Sequence, residues 1–163
     1  MAEPATRARI APQPEGSYQM PADAQFLADR IAIMDVMVKY GTAVDAREME
    51  RYRSCFTEDV VVVGYGPEAM EGADAYLDYV VTALKNFPGT QHLMGNQVVE
   101  LDGDVALVRT EVQATHFLKD DPDAIMTLWA TYVDDMVRGS DGQWRIKRHE
   151  LVRRGSQRTV NQL

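Results

Sequence analysis

The apolar period of this chain changes partway along, and that change limits the fold more than any single motif. Up to Phe87 the pattern is mainly helical. A first helix starts near Pro21, where Asp23 can cap it, and carries Phe26-Leu27, Ile33-Met34, Met37-Val38 and Gly41 at spacings of three and four. Asp45 lies at or just past its end. A shorter helix fits Arg47–Phe56, a β-branched run covers Asp59–Tyr65, and a third helix fits Ala73–Phe87 before Pro88-Gly89 stops it. Four long strands follow: Gln91–Leu101, Asp104–Leu118, Ile125–Val137 and Trp144–Arg154. Asp102-Gly103, the Asp120–Asp123 run and Gly139–Gly142 supply the turns between them. Helices first and an antiparallel meander second imply an α+β fold. Helices packed on one face of so curved a sheet would enclose a cavity. The wide apolar stripe of the first helix asks for protein on more than one side.

Composition removes several classes of function. A chain of 163 residues favours one domain. We assign residues 1–20, rich in breakers, to a flexible arm, 21–155 to the domain and 156–163 to a polar tail. The net charge of −8 argues against nucleic acid as the partner. No apolar run reaches the roughly 18 residues of a membrane span. Arg7 and Arg9 are not followed by the apolar stretch of a secretory signal, so a cytoplasmic location is expected. The one cysteine, Cys55, sits in an apolar helical pattern and reads as a core residue.

Phosphate-binding glycine loops, GxSxG, CxxC and HExxH are all missing, so the three histidines and the acidic residues must carry any chemistry. His92, His116 and His149 all fall on expected strands. A turn centred on Asp102-Gly103 makes paired positions sum to about 205, placing His116 opposite residue 89. That is three positions from His92, or about 10 Å at ~3.4 Å per residue; a bulge would bring the two closer. Asp45 either caps the second helix or, next to a histidine, orients the ring and leaves its far nitrogen as a general base. Histidine spacings of 24 and 33 fit no compact zinc pattern, so neither a metal nor another cofactor is expected.

TAVDAREMERYRSCFTEDV, followed by TQHLMGN and THFLKD, resembles the SnoaL-like, nuclear-transport-factor-2-like superfamily. Within it, the chain is most similar to scytalone dehydratase and its relatives, which include bile-acid 7α-dehydratase and hexachlorocyclohexane dehydrochlorinase. The resemblance spans about residues 22–154. It implies a cone: a curved mixed β-sheet wrapped around a long N-terminal helix, an α+β barrel with an apolar pocket. It also implies that Asp45 pairs with the base His92, that His116 matches a second histidine, and that Tyr40 matches a catalytic tyrosine. On an ideal helix Tyr40 and Asp45 lie about 140° apart, so a shared site needs a distorted helix end. Val44 stands where scytalone dehydratase has a tyrosine. A second tyrosine position falls on Gly64, with Tyr65 one place along and expected on the other side of its strand. His149 falls where dehydrochlorinase-like relatives place a cationic pocket residue.

The reading that follows is a cofactor-independent lyase, dehydratase-like, acting on a small, mostly apolar, cyclic hydroxylated substrate. Asp45, His92, His116 and Tyr40 are the expected catalytic set. Trp129, Thr131, His149, Phe117 and Tyr65 are the expected substrate contacts, with Phe87 also in the lining. The same dyad would serve an isomerase or polyketide-cyclase-like enzyme, and a non-catalytic small-molecule-binding domain is the alternative of another class. Apolar residues on both faces of the long strands lead us to expect a homo-oligomer, a trimer by resemblance or else a dimer.

Overall fold

A computed structural model describes residues 24–160. The arm, the Asp23 cap and the last three tail residues lie outside the described residues. The elements are α1 (Ala24–Ala46), α2 (Met49–Arg53), β1 (Phe56–Val63), β2 (Met70–Glu71) and α3 (Ala73–Leu84). They are followed by β3 (Gly89–Asp102), β4 (Val105–Phe117), β5 (Ala124–Arg138) and β6 (Trp144–Val160). The sheet order is β2-β1-β6-β5-β4-β3. β3 to β6 form an antiparallel meander, and β1 joins parallel to β6, so the sheet is mixed. It curves without closing, with β2 and β3 as its edges.

α1 lies across the concave face, against β3 and β6. A glycine is needed where helix and sheet come closest. A Cβ on Gly41 would stand 3.0 Å from Met94 Cε and 3.4 Å from His92 Cβ. Ile33, Val36, Met37, Tyr40, Ala43 and Val44 turn one side of α1 into the core with Val62, Val108, Val112 and Ile146. Near its start, buried Asp29 accepts hydrogen bonds from Arg138 Nη2 (2.5 Å) and Trp144 Nε1 (3.2 Å), tying α1 to the β5–β6 hairpin. The other side is left uncovered by the described residues: Ile31 is 60% and Val38 52% exposed. The expected cover on a second side is therefore not supplied by the described residues.

Three boundaries differ from expectation. Phe56 opens β1 instead of closing the second helix, because its backbone pairs with Ile146 of β6. Residues 156–160, assigned to the tail, continue β6, with Ser156 to Val160 paired to Leu128 through Ala124. The first hairpin turns on Gly103-Asp104, one residue later than read, because Asp102 pairs with Val105 and Gly103 takes a left-handed φ of 58°. Cys55 is fully buried in the core, where burial pushes its thiol up to about 12.

Candidate functional site

The shifted turn decides where the histidines point. From Asp102↔Val105 to Gln97↔Thr110 the paired positions sum to 207. A bulge at Gly95-Asn96 opposite Glu111 takes one away, so Thr90 faces His116. His92 therefore lies two residues from that pair, on the same face, and not three. The two imidazoles meet edge to face with centroids 5.9 Å apart.

Asp45 reaches them from the last turn of α1. Its Oδ2 accepts the His92 backbone N–H at 2.7 Å. Its Oδ1 lies 2.7 Å from His92 Nδ1 and accepts the Thr90 hydroxyl at 2.8 Å. Burial alone would raise the Asp45 pKa, but the side-chain and backbone hydrogen bonds from His92 outweigh it, and the carboxyl is lowered overall. An ionised Asp45 fixes the proton on Nδ1, which leaves Nε2 as the lone-pair nitrogen. Asp45 does not cap α2, whose N-cap Glu48 makes no side-chain cap bond.

The helix end that presents Asp45 is closed by Arg47, which takes a left-handed φ of 62° where glycine is usual. Glu48 N–H to Ala43 O (2.9 Å) and Arg47 N–H to Val44 O (3.2 Å) complete the turn. The Arg47 guanidinium donates to Thr90 Oγ1 and to Phe87 O, both at 2.8 Å. Arg47, Thr90 and Asp45 thus form a brace that sets the carboxylate against His92. Sequence reading missed Arg47 and Thr90; the Thr of TQH was the only available signal.

A second polar cluster lies in the same cavity. Tyr40, Tyr65 and Tyr76 hydroxyls close a triangle of 3.1, 3.0 and 2.9 Å. Tyr52 donates to Tyr76 at 3.1 Å, and burial, first among the causes, raises all four phenols well above their usual range. His149, fully buried, puts Nε2 at 2.9 Å from Tyr65 and 3.4 Å from Tyr40. Its Nδ1 is 2.5 Å from Oδ1 of fully buried Asp134, which was not anticipated. Tyr65 faces inward, against the strand-alternation expectation. Gly64, at a φ of 91°, ends the alternation just before it. Tyr40 belongs to this cluster and makes no hydrogen bond to Asp45 or His92.

Between the clusters lies a cavity of about 310 Å³, lined by Tyr40, Tyr65, Leu84, Phe87, His92, His116 and Leu128 among others. Arg153 and Ser156 lie at its margin, bonded to each other. His116 Nδ1 is buried with no protein partner. Burial, and then the neighbouring His92, lower the His116 pKa, so the ring is neutral at neutral pH. Four expected contacts do not line the cavity: His149 is enclosed behind Tyr65, and the other three lie across the sheet. Phe117, Trp129 and Thr131 occupy the opposite face of the sheet, since they alternate with the inward His116, Leu128 and Ala130. Trp129 there bonds Gln113, and Thr131 bonds Glu111. Among the described residues no group of three His, Cys, Asp or Glu side chains could hold a metal ion, and no helix is long and apolar enough to cross a membrane.

Comparison with known proteins agrees with this geometry. An uncharacterized protein of Mycobacterium tuberculosis is 30% identical over 123 residues, 75% of this chain and 83% of that protein. A solved Novosphingobium aromaticivorans structure that carries a provisional scytalone dehydratase name is 28% identical, with a TM-score of 0.75 over 85% of this chain and 91% of that one. Hexachlorocyclohexane dehydrochlorinase of type 3 from Novosphingobium barchaimii shares the fold at 21% identity, with a TM-score of 0.76 over 86% and 97% of the two chains. Residues 25–150 match the SnoaL-like domain. With a cone-shaped sheet, a helix-end aspartate on a cavity histidine and this match across most of its length, the chain belongs to the SnoaL-like family.

Proposed function

We propose that this protein is a cofactor-independent lyase that eliminates water from a small, mostly apolar, cyclic hydroxylated substrate. The observation that carries the reading is the Asp45–His92 contact, 2.7 Å long, at the wall of a largely apolar cavity. A carboxylate held on Nδ1 stabilises the imidazolium that forms when Nε2 takes a proton from carbon. General-base assistance of this kind contributes about 10²–10⁴-fold. His116, its pKa lowered by burial, lines the cavity beside the base and packs its uncharged ring against the substrate. Aromatic and aliphatic walls hold the ring and exclude water, which supplies orientation. The Novosphingobium relative, by the dehydratase activity in its name, supports elimination over isomerisation.

The test is a screen of hydroxylated ring compounds for loss of water, run beside His92→Ala. Dehydration by the wild-type protein that falls at least about 10²-fold in the variant is the expected result. Double-bond migration without loss of water would replace the lyase with an isomerase. Tight binding of the same compounds with no turnover would leave a binding domain.

A further inference from the structure

The Asp45–His92 pair has a counterpart that this function does not use. Asp134 and His149 are both wholly enclosed, and the far ring nitrogen of His149 meets the Tyr65 hydroxyl. We propose that Asp134, His149 and Tyr65 form a proton relay that delivers a proton to a substrate oxygen bound beside Tyr65. The proposal rests on the lyase reading and gives it an acid to complement its base.

Asp134 Oδ2 is buried and has no hydrogen-bond partner among the described residues. An unpartnered oxygen on a full buried carboxylate, with no compensating cation, is very costly. Burial also pushes the Asp134 pKa up, and among the described residues His149 alone lies within ion-pair distance to offset it, with a smaller contribution from the more distant Arg148. The pair is therefore neutral as a whole, either as carboxylic acid with imidazole or as carboxylate with imidazolium. In the first form the acid proton occupies the short contact to Nδ1, so the ring hydrogen sits on Nε2. In the second, both nitrogens carry hydrogen. In both, Nε2–H donates to Tyr65.

The hydroxyls around His149 are consistent with that direction. Tyr40 comes from α1, Tyr65 from just past β1, Tyr76 from α3 and Tyr132 from β5, and among the described residues Asp134 is the only charged group in contact with the ring. Tyr76 donates to Tyr65, Tyr65 can donate to Tyr40, and Tyr40 can donate back to Tyr76, with Tyr52 feeding Tyr76. Each triangle oxygen then accepts at least one bond, and Tyr65 also accepts from Nε2–H. Tyr65, the half-buried member on the cavity wall, is the one that can turn its O–H to a ligand oxygen. Burial holds its proton firmly, so a lone phenolate would be a poor product. Simultaneous transfer from His149 Nε2 removes that difficulty.

His92 Nε2 takes the carbon-bound proton, the C–H electron pair becomes the double bond, and the C–O bond breaks. The departing oxygen takes the Tyr65 proton and leaves as water while His149 Nε2–H restores Tyr65. The pair ends one proton short and His92 one proton rich, so the negative charge left on the buried pair is offset within the site only by the His92 imidazolium formed in the same step, and exchange with solvent after product release resets both. Tyr65 is the catalytic residue here. His149 and Asp134 are positioning residues that act through it. The ligand class that fits carries a hydroxyl or carbonyl oxygen at the Tyr65 end of the cavity.

The first measurement needs no substrate: nitrogen-15 NMR of histidine-labelled protein at neutral pH. His149 is assigned by its loss in His149→Gln or, should that variant not fold, by elimination with His92→Gln and His116→Gln. A protonated Nε2 is expected. A bare Nε2 accepting the Tyr65 hydroxyl overturns the relay, whatever the enzyme catalyses. The second compares β-hydroxycyclohexanone with its β-acetoxy counterpart, whose leaving group needs no proton. Tyr65→Phe and Asp134→Asn should lower loss of water at least about 10²-fold and loss of acetate less than about 10-fold. Equal losses on both compounds would make the cluster structural. A wild-type protein that eliminates from neither compound, with Nε2 protonated, counts against the lyase reading and not the relay.

Discussion

The imidazoles of His92 and His116 meet edge to face, 5.9 Å between centroids, because Thr90 and not His92 is the ladder partner of His116. One histidine is thereby packed between Phe87 and a second titratable ring. Burial first, and the His92 charge second, lower the His116 pKa. The unfolded chain, with an ordinary histidine near 6.5, binds a proton at residue 116 that the fold resists. Stability therefore falls as pH drops below about 6.5 and levels off once the folded pKa is passed. Asp45, lowered in the fold, acts in a separate window below about pH 4, where its stabilisation is lost. Urea unfolding across pH should show a shallower slope below about 6.5 for His116→Asn than for wild type. Parallel curves for the two proteins would contradict the lowered His116.

Gly64 should be among the least replaceable residues. Its φ of 91° is left-handed, and an added Cβ would overlap the Leu151 carbonyl. Gly64→Ala should lose about 1–2 kcal/mol from backbone strain alone, with the overlap adding to it. It should also move Tyr65 out of the hydroxyl cluster. Gly103→Ala, at a φ of 58° with open space around it, should lose only the conformational part. Denaturant midpoints of the two variants measure the contrast, and equal midpoints would remove the packing argument.

Much of this architecture could be read from residues, and what escaped did so for identifiable reasons. The change of period near Thr90 gave the helices, the meander and the order of elements, and TAVD with TQH gave the first dyad. Bulges are what hid the rest. Carrying the Arg138↔Trp144 pairing straight back would place His149 opposite Val133. The unpaired Lys147 shifts it to Asp134, so the second pair follows only once the bulge is known. Trp129 and Phe117 were misplaced for a related reason. On a strand with apolar residues on both faces, composition does not say which face is inside, and only the register does.

The bare apolar surfaces lead us to propose a homo-oligomer. Leu93 is 63% exposed on the outer face of the sheet, which also carries Val98 and Trp129. Ile31 and Val38 are bare on α1. Exposed large apolar side chains grouped on two surfaces mark candidate interaction sites. Light scattering at micromolar concentration should show an assembly, and Leu93→Glu with Trp129→Arg should shift it towards monomer without disturbing the cavity on the other face. A wild-type monomer under these conditions would leave both surfaces unexplained.

The brace behind the base gives the most discriminating set of variants. Asp45→Asn preserves side-chain volume and keeps an acceptor for Thr90, but it cannot stabilise an imidazolium by charge. Thr90→Val removes the hydroxyl that links Arg47 to Asp45 while leaving the carboxylate and its two contacts to His92. On a confirmed substrate, His92→Ala and Asp45→Asn should each lower kcat/KM at least about 10²-fold with the fold intact. Thr90→Val should cost less, about 3–10-fold, the scale of one net hydrogen bond of roughly 0.5–1.5 kcal/mol. Adding Asp45→Asn to His92→Ala should cost little more than His92→Ala alone, because a carboxylate that acts through the base has little left to do without it. Strictly additive losses would mean that Asp45 touches substrate directly, and near-normal activity in both single variants would make the dyad a structural contact in a cavity run by other groups.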